Sequence, residues 1–238
     1  MIGTLINIIA ILIGGILGTF LGNRLSENVR HTVIAGLGLF TIGLGLSLFL
    51  KTANSLIVVG SLLIGALLGE WWKIEDALQN LGRWLENRFN RNRSEVGHAR
   101  FIKGFLTASL LFIIGPMAIL GSIQDGLTGN FELLVIKSVL DGFSALAFSS
   151  SLGFGVVFSV IPLFLYQGSI TLLSAELQSL VSPEMINEMT AVGGLIILSL
   201  GISSLLEIKH IRTGNFLPAL AIAPLVVLIL DIFGIGLT

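Results

Sequence analysis

The sequence predicts an all-α integral membrane protein of about eight transmembrane helices, with signs of an inverted repeat. Three observations predict it. Hydrophobic residues make up 54% of the 238-residue chain, charged residues only 11%, and the mean hydropathy is +0.97. A soluble domain carries roughly 25% charged residues, so this chain lacks the polar surface that water would require. The apolar residues also fall in runs about as long as the 20-residue helix that crosses a bilayer, and the charges gather between those runs.

Breaks at charges and turn formers give candidate spans at Ile2–Gly22, Thr32–Leu50, Ser55–Trp72, Phe101–Ile123, Leu133–Ser151, Gly153–Leu173, Thr190–Leu205 and Phe216–Gly234. Met1-Ile2-Gly3-Thr4 has no basic stretch, and no small-residue cleavage site follows near Gly22-Asn23. The first run therefore reads as a retained helix rather than a signal peptide. Ser149-Ser150-Ser151-Leu152-Gly153 is a weak break, so 133–173 reads either as two full spans or as a re-entrant pair.

Lys73, Arg83, Arg88, Arg91, Arg93 and Arg100 follow the third span, and Arg24, Arg30, Lys209 and Arg212 fall on the same side. The opposite loops, 51–54, 124–132 and 174–189, hold Lys51 with Asp125, Glu132, Glu176, Glu184 and Glu188. Basic loops stay cytoplasmic, so both termini are expected outside.

Residues 73–100 form the one sizeable polar segment. Ile74, Leu78, Leu81, Leu85 and Phe89 recur there at helical spacing, among Arg83, Arg88 and Arg91, with Trp71, Trp72 and Trp84 nearby. Such a basic amphipathic helix is expected on the cytoplasmic lipid interface, or docked on a partner. Thr32 to Gly43 aligns at constant offset with Thr190 to Gly201, and the offset also sets Lys51 on Lys209. The two copies would be inverted, a common transporter plan.

Composition and motifs exclude several classes. A net charge of −1 gives no pull toward nucleic acid, and the absence of cysteine removes disulfides, thiolate metal sites and thiol nucleophiles. No Walker sequence, His-Glu-x-x-His or Gly-x-Ser-x-Gly is present. No enzyme activity, cofactor or metal site is expected. His31, His98 and His210 read as solvated or interfacial. Asn92-Arg93-Ser94 fits a glycosylation sequon but faces the cytoplasm in this topology. Gly14, Gly18 and Gly22, with Gly65 and Gly69, read as packing ridges, since small faces let helices approach in lipid.

Asp141 is the most informative residue. It lies about 12 Å in from Leu133 at 1.5 Å per residue, where a carboxylate costs at least roughly 2.5–3.5 kcal/mol on insertion scales. Lys137 is one helical turn away. The two form either a structural ion pair or part of an ion, proton or substrate site. Lys137 lies nearer the helix end and has water within reach of its long stem, which would leave Asp141 needing Gln167, Asn7 or a bound ion. Tyr166, Thr4, Ser144, Ser149 and Ser150 are further polar candidates. Pro116 interrupts the fourth span, and Pro218 and Pro224 the last; proline frees a carbonyl, and broken helices are where transporters bind ions. Asn215 completes the candidate set. Glu70, Glu207 and Lys209 are expected to snorkel to the interface.

Gly115-Pro-Met-Ala-Ile-Leu-Gly-Ser-Ile-Gln-Asp-Gly126, Lys137-Ser-Val-Leu-Asp-Gly142 and Tyr166-Gln-Gly168 resemble the bacterial YdfK/YqgA-like membrane family, also known as a domain of unknown function. Gly3-Thr-Leu-Ile-Asn7 with Gly14-Gly15, and Gly214-Asn-Phe-Leu-Pro218, fit the same pattern over essentially the whole chain. The resemblance implies a bacterial cytoplasmic (inner) membrane and a single polytopic domain over 1–238. It brings no binding or catalytic residue with it. The expected function is a transporter or channel-like protein for an unidentified small solute or ion. The alternative is a non-transport scaffold or sensor that docks a partner through 73–100. The expected partners are the lipid bilayer and that solute; a homo-oligomer is left open.

Overall fold

The computed structural model describes residues 1–89 and 95–233. Among them, all regular structure is helical: α1 (Ile2–Gly22), α2 (Glu27–Phe49), α3 (Ser55–Trp72), α4 (Ile74–Phe89), α5 (Glu95–Ile113), α6 (Pro116–Thr128), α7 (Glu132–Leu152), α8 (Val160–Leu172), α9 (Ser174–Leu180), α10 (Pro183–Leu200) and α11 (Ala219–Ile232). Two 3₁₀ turns, Phe154–Ser159 and Thr213–Phe216, precede α8 and α11, and a π-turn at Gly201–Leu205 extends α10. Seven segments are long and apolar enough to cross a membrane, and the pair Gly97–Ile113 and Pro116–Thr128, bent by 62°, supplies an eighth.

Local chemistry explains the ends. Asn54 and Ser182 cap α3 and α10 by accepting the Leu56 and Met185 N–H groups, and Pro183 opens α10 where no N–H is needed. Gly153, at φ 83°, turns the chain between α7 and Phe154–Leu172, which separates 133–173 into two apolar segments each long enough to span. The boundaries move in three places. The second span begins at Glu27, and the seventh at Pro183, so Glu184 and Glu188 lie in a helix and not in a loop. The fourth is broken at Pro116, as its proline implied. Arg91, Arg93, the Asn92-Arg93-Ser94 sequon and Gly234 lie outside the described residues.

The chain forms two compact units. The first comprises Met1–Leu37, Gln79–Ile113 and Met117–Ser179. Its spine is α1 against α7. A Cβ added at Gly14, Gly18 or Gly22 would come within 2.0–2.2 Å of the Gly142, Leu146 or Ser150 carbonyl oxygen, respectively. Both partners advance four residues per step, so the two helices run parallel, with backbones in contact along the glycine ridge. The face of α1 carrying Leu5, Ile9 and Ile13 is exposed, as a lipid-facing surface would be.

The amphipathic segment departs from expectation. Its helix ends at Phe89, and residues 95–100 begin α5 instead. Leu81 and Leu85 pack on Phe101, Phe105, Leu106, Phe154 and Phe158, so this part of the apolar stripe meets protein rather than lipid. The Phe89 and Phe158 rings lie 5.1 Å apart. Arg83, Trp84 and Arg88 stay exposed. His98 is not simply solvated: its Nδ1 pairs with the buried Glu86 carboxylate.

The second unit comprises Gly38–Leu78, Ile114–Pro116 and Leu180–Thr238. Here Gly45 and Gly194 meet each other's carbonyl oxygens, and Gly201 meets that of Gly38, so α2 and α10 cross antiparallel. Gly65 meets Ala219 and Gly69 meets the Asn215 carbonyl, which sets α3 antiparallel to α11. Ile57, Met185 and Val227 form its buried apolar cluster.

Gly18→Leu should force α1 and α7 apart and lower the unfolding midpoint in detergent by several degrees. Gly36→Ala, where a Cβ meets open space, should be neutral or stabilising, by up to about 1 kcal/mol of helix propensity. Differential scanning fluorimetry checks both; equal midpoints for the two variants would remove the seam from the account.

Candidate functional site

Asp141 is the tenth residue of the 21-residue α7, so it lies at mid-span. Lys137, one turn earlier, shares its face, and Lys137 Nζ pairs with Asp141 Oδ2. Lys137 does not snorkel away; it is 5% exposed, and Asp141 is 9% exposed. The lysine also donates to the Phe112 carbonyl oxygen at 2.9 Å. That carbonyl is free because the residue four places on, Pro116, has no N–H to give it. The proline acts here through the acceptor it releases. Asn7, fully buried on α1, donates from Nδ2 to Asp141 Oδ2 at 2.9 Å. The glycine seam brings α1 close enough for this short side chain to reach. Groups from α1, α5 and α7 thus converge, and among the described residues both donors meet the same carboxylate oxygen.

The interior of this unit also holds polar groups that are only partly satisfied. Thr4, Thr107, Ser122 and Gln167 are buried. The Thr4, Thr107 and Ser122 hydroxyls, Asn7 Oδ1 and both amide atoms of Gln167 have no hydrogen-bond partner among the described residues. A buried polar atom left unsatisfied costs about 1–3 kcal/mol, so these atoms call for water, an ion or a polar ligand. Gln167 does not bond Asp141; Gly168 beside it lies against the Met1 side chain, and α8 meets α6 where Thr171 faces Gly126.

Asp125 was expected in an outer loop but is buried in α6, where its Oδ2 accepts from the Met1 amine and the Gly3 N–H, both at 3.0 Å. It caps the first turn of α1, whose N–H groups lack partners within the helix.

Other candidates lie elsewhere. Tyr166 is half-buried and does not join the Asp141 centre. Asn215 belongs to the second unit and to a different network. Its Oδ1 accepts the Glu75 N–H at 2.8 Å, its Nδ2 donates to Glu70, and Glu75 Oε2 accepts the Gly214 N–H at 2.7 Å. Arg212 bridges Glu70 and Asp76, and the Asp76 hydrogen bond raises the guanidinium pKa further above its ordinary range. Glu70 is therefore tied down and not merely snorkelling. At Glu188, fully buried on α10, the carboxylate accepts from Thr52 Oγ1 and the Ala53 N–H, each at 2.7 Å, and from the Asn54 N–H at 3.1 Å. Sequence reasoning missed Asp125, Glu75 and Glu188 as structural acids. Asp125 and Glu188 read as outer-loop charge, Glu75 drew no reading within the amphipathic segment, and only the tertiary contacts bury them. Among the described residues, no three His, Asp or Glu side chains gather as a metal site would require.

Residues 2–228 match the family profile described as "Protein of unknown function (DUF554)". The chain is 36% identical over 222 residues to "Uncharacterized protein YqgA" of Escherichia coli K12, covering 93% of this chain and 94% of that one. It is 33% identical over 239 residues to "Uncharacterized membrane protein YdfK" of Bacillus subtilis 168, covering 99% of each. No solved structure matches. With its apolar helices and these full-length relatives, the chain belongs to the DUF554 family of membrane proteins.

Proposed function

We propose that this protein is a secondary transporter or channel-like protein for a small solute or ion, with Asp141 as its central binding group. One observation carries the reading: a carboxylate and an ammonium share a mid-span site with Asn7, beside a carbonyl released by a broken helix, in a unit whose interior holds buried polar groups without partners among the described residues. A purely structural ion pair needs no such neighbourhood. A proton or cation arriving at Asp141 would neutralise the carboxylate that holds Lys137, so loading the site weakens the pair.

The antiparallel crossings of α2 with α10 and of α3 with α11 support an inverted duplication. The offset that sets Thr32 on Thr190 also sets Ser55 on Thr213 and Trp72 on Leu230, near the bounds of the last span. The proposal places the protein in the bacterial inner membrane with both termini outside and assigns it no catalytic step. The scaffold reading gains less support, because Leu81 and Leu85 on the apolar face of α4 are already covered by phenylalanines of the same unit.

Two experiments test this. Asp141→Asn should leave Lys137 unpaired and lower stability, whereas Asp141→Asn with Lys137→Met should recover much of that loss, since a buried pair is often replaceable by apolar residues. Thermal unfolding of the purified variants measures the recovery. In a proteoliposome screen with proton, sodium and potassium gradients, the stable double variant should lose the flux that wild type shows. Wild-type flux in that variant would end the assignment of Asp141. For topology, single cysteines at Arg83 and Glu184 in this cysteine-free chain should react from opposite sides. An impermeant thiol reagent on intact cells should label the Glu184 position alone; labelling at both would overturn the orientation.

A further inference from the structure

At the end of the first unit where α1 and α7 finish, a small, partly open cleft is lined by Thr19, Asn23, Arg30, Arg100 and Ser149–Ser151, with Gly22 and Gly153. Its wall holds two guanidinium groups and no carboxylate. Glu27, which pairs with Arg30 at 2.7 Å and Arg100 at 3.3 Å, is not part of the lining.

Part of Arg30 has a structural duty. Its Nη2 donates to the Gly22 carbonyl at 3.0 Å and so satisfies the C-terminal end of α1. Its Nε is buried and has no partner among the described residues. The Ser149 hydroxyl, in a residue 1% exposed, has none either. Thr19 and Ser150 spend their hydroxyl protons on the Gly15 and Ala147 carbonyls of their own helices. Two buried donors of different kinds therefore stand unused in residues that line this electropositive cleft. The positive charge excludes a cation, and an apolar guest would leave both donors unsatisfied. Charge-assisted donation to an oxyanion satisfies both at once, and guanidinium groups match the spacing of phosphate oxygens.

We propose that this cleft binds a phosphate group, through Arg30 Nε, Arg100 and the Ser149 hydroxyl. The site is separate from Asp141 and does not depend on the transport reading. Two sources offer the same chemistry: inorganic phosphate from solution, and the headgroup of an anionic phospholipid.

The test uses delipidated, purified full-length protein. One arm titrates inorganic phosphate by calorimetry, and the other measures phosphatidic acid binding by native mass spectrometry. Saturable binding of phosphate identifies a soluble anion, saturable binding of phosphatidic acid identifies a headgroup, and either supports the site. Ser149→Ala removes only an unbonded hydroxyl, so it should keep the wild-type unfolding midpoint while weakening binding roughly tenfold, as expected for a hydrogen bond to a charged group. Arg30→Lys keeps the charge but loses the Nε–H and should weaken binding at least as much. Arg83→Gln with Arg88→Gln, on the exposed face of α4, should leave binding unchanged. The proposal is overturned if wild type binds neither probe, if either cleft variant binds like wild type, or if the α4 variant weakens binding as much as the cleft variants do.

Discussion

Helices surrounded by lipid gain little by hiding apolar surface from one another, because the tails are as apolar as leucine. What holds them is close contact and the few polar bonds that close contact permits. In this protein the constraint is met by glycine. Gly14, Gly18 and Gly22 bring the α1 backbone onto the carbonyl groups of α7, and Asn7 then reaches Asp141. A bulkier ridge would hold α1 away and leave the carboxylate with Lys137 alone. The site chemistry of the first unit thus rests on a packing device that itself carries no chemistry.

The same constraint explains the buried acids. Asp125 receives the first-turn N–H of Gly3, Glu188 receives the N–H groups of the loop before α3, and Glu75 receives that of Gly214. Each carboxylate takes up backbone donors that regular helix leaves over, in places where water is scarce. These acids are accounted for by the groups they cap.

Asp141 differs from them in kind. It holds no backbone group; it faces a lysine and an amide, and the lysine is shared with a carbonyl freed at Pro116. In the same unit, the Gln167 amide and the Thr4, Thr107 and Ser122 hydroxyls are buried without partners among the described residues. Structural networks in apolar surroundings tend to be closed, since each open end is costly. Open polar groups in the same unit as a charged pair are what a site with a changing occupant requires, and this contrast motivates the transport proposal more than the charge of Asp141 by itself.

The sequence by itself determined the helical membrane character, the approximate place of the apolar spans, the glycine ridges and the placing of Lys137 and Asp141 on one helix face. These follow from composition, run length and spacing along one helix, all of which are local. It also marked Pro116 as a break and Asn7 as a polar candidate. Only the tertiary structure decided which candidates meet. It brought Asn7 and the Phe112 carbonyl to the pair, left the Gln167 side-chain amide without a partner among the described residues, and assigned Asn215 to a separate network with Glu70 and Glu75. It also turned apolar residues of α4 onto α5 and the Phe154–Ser159 turn, where an interfacial helix had been expected. The physical reason is that periodicity fixes which face of a helix is apolar or polar, whereas the neighbour that covers that face is chosen by backbone approach between segments far apart in the chain.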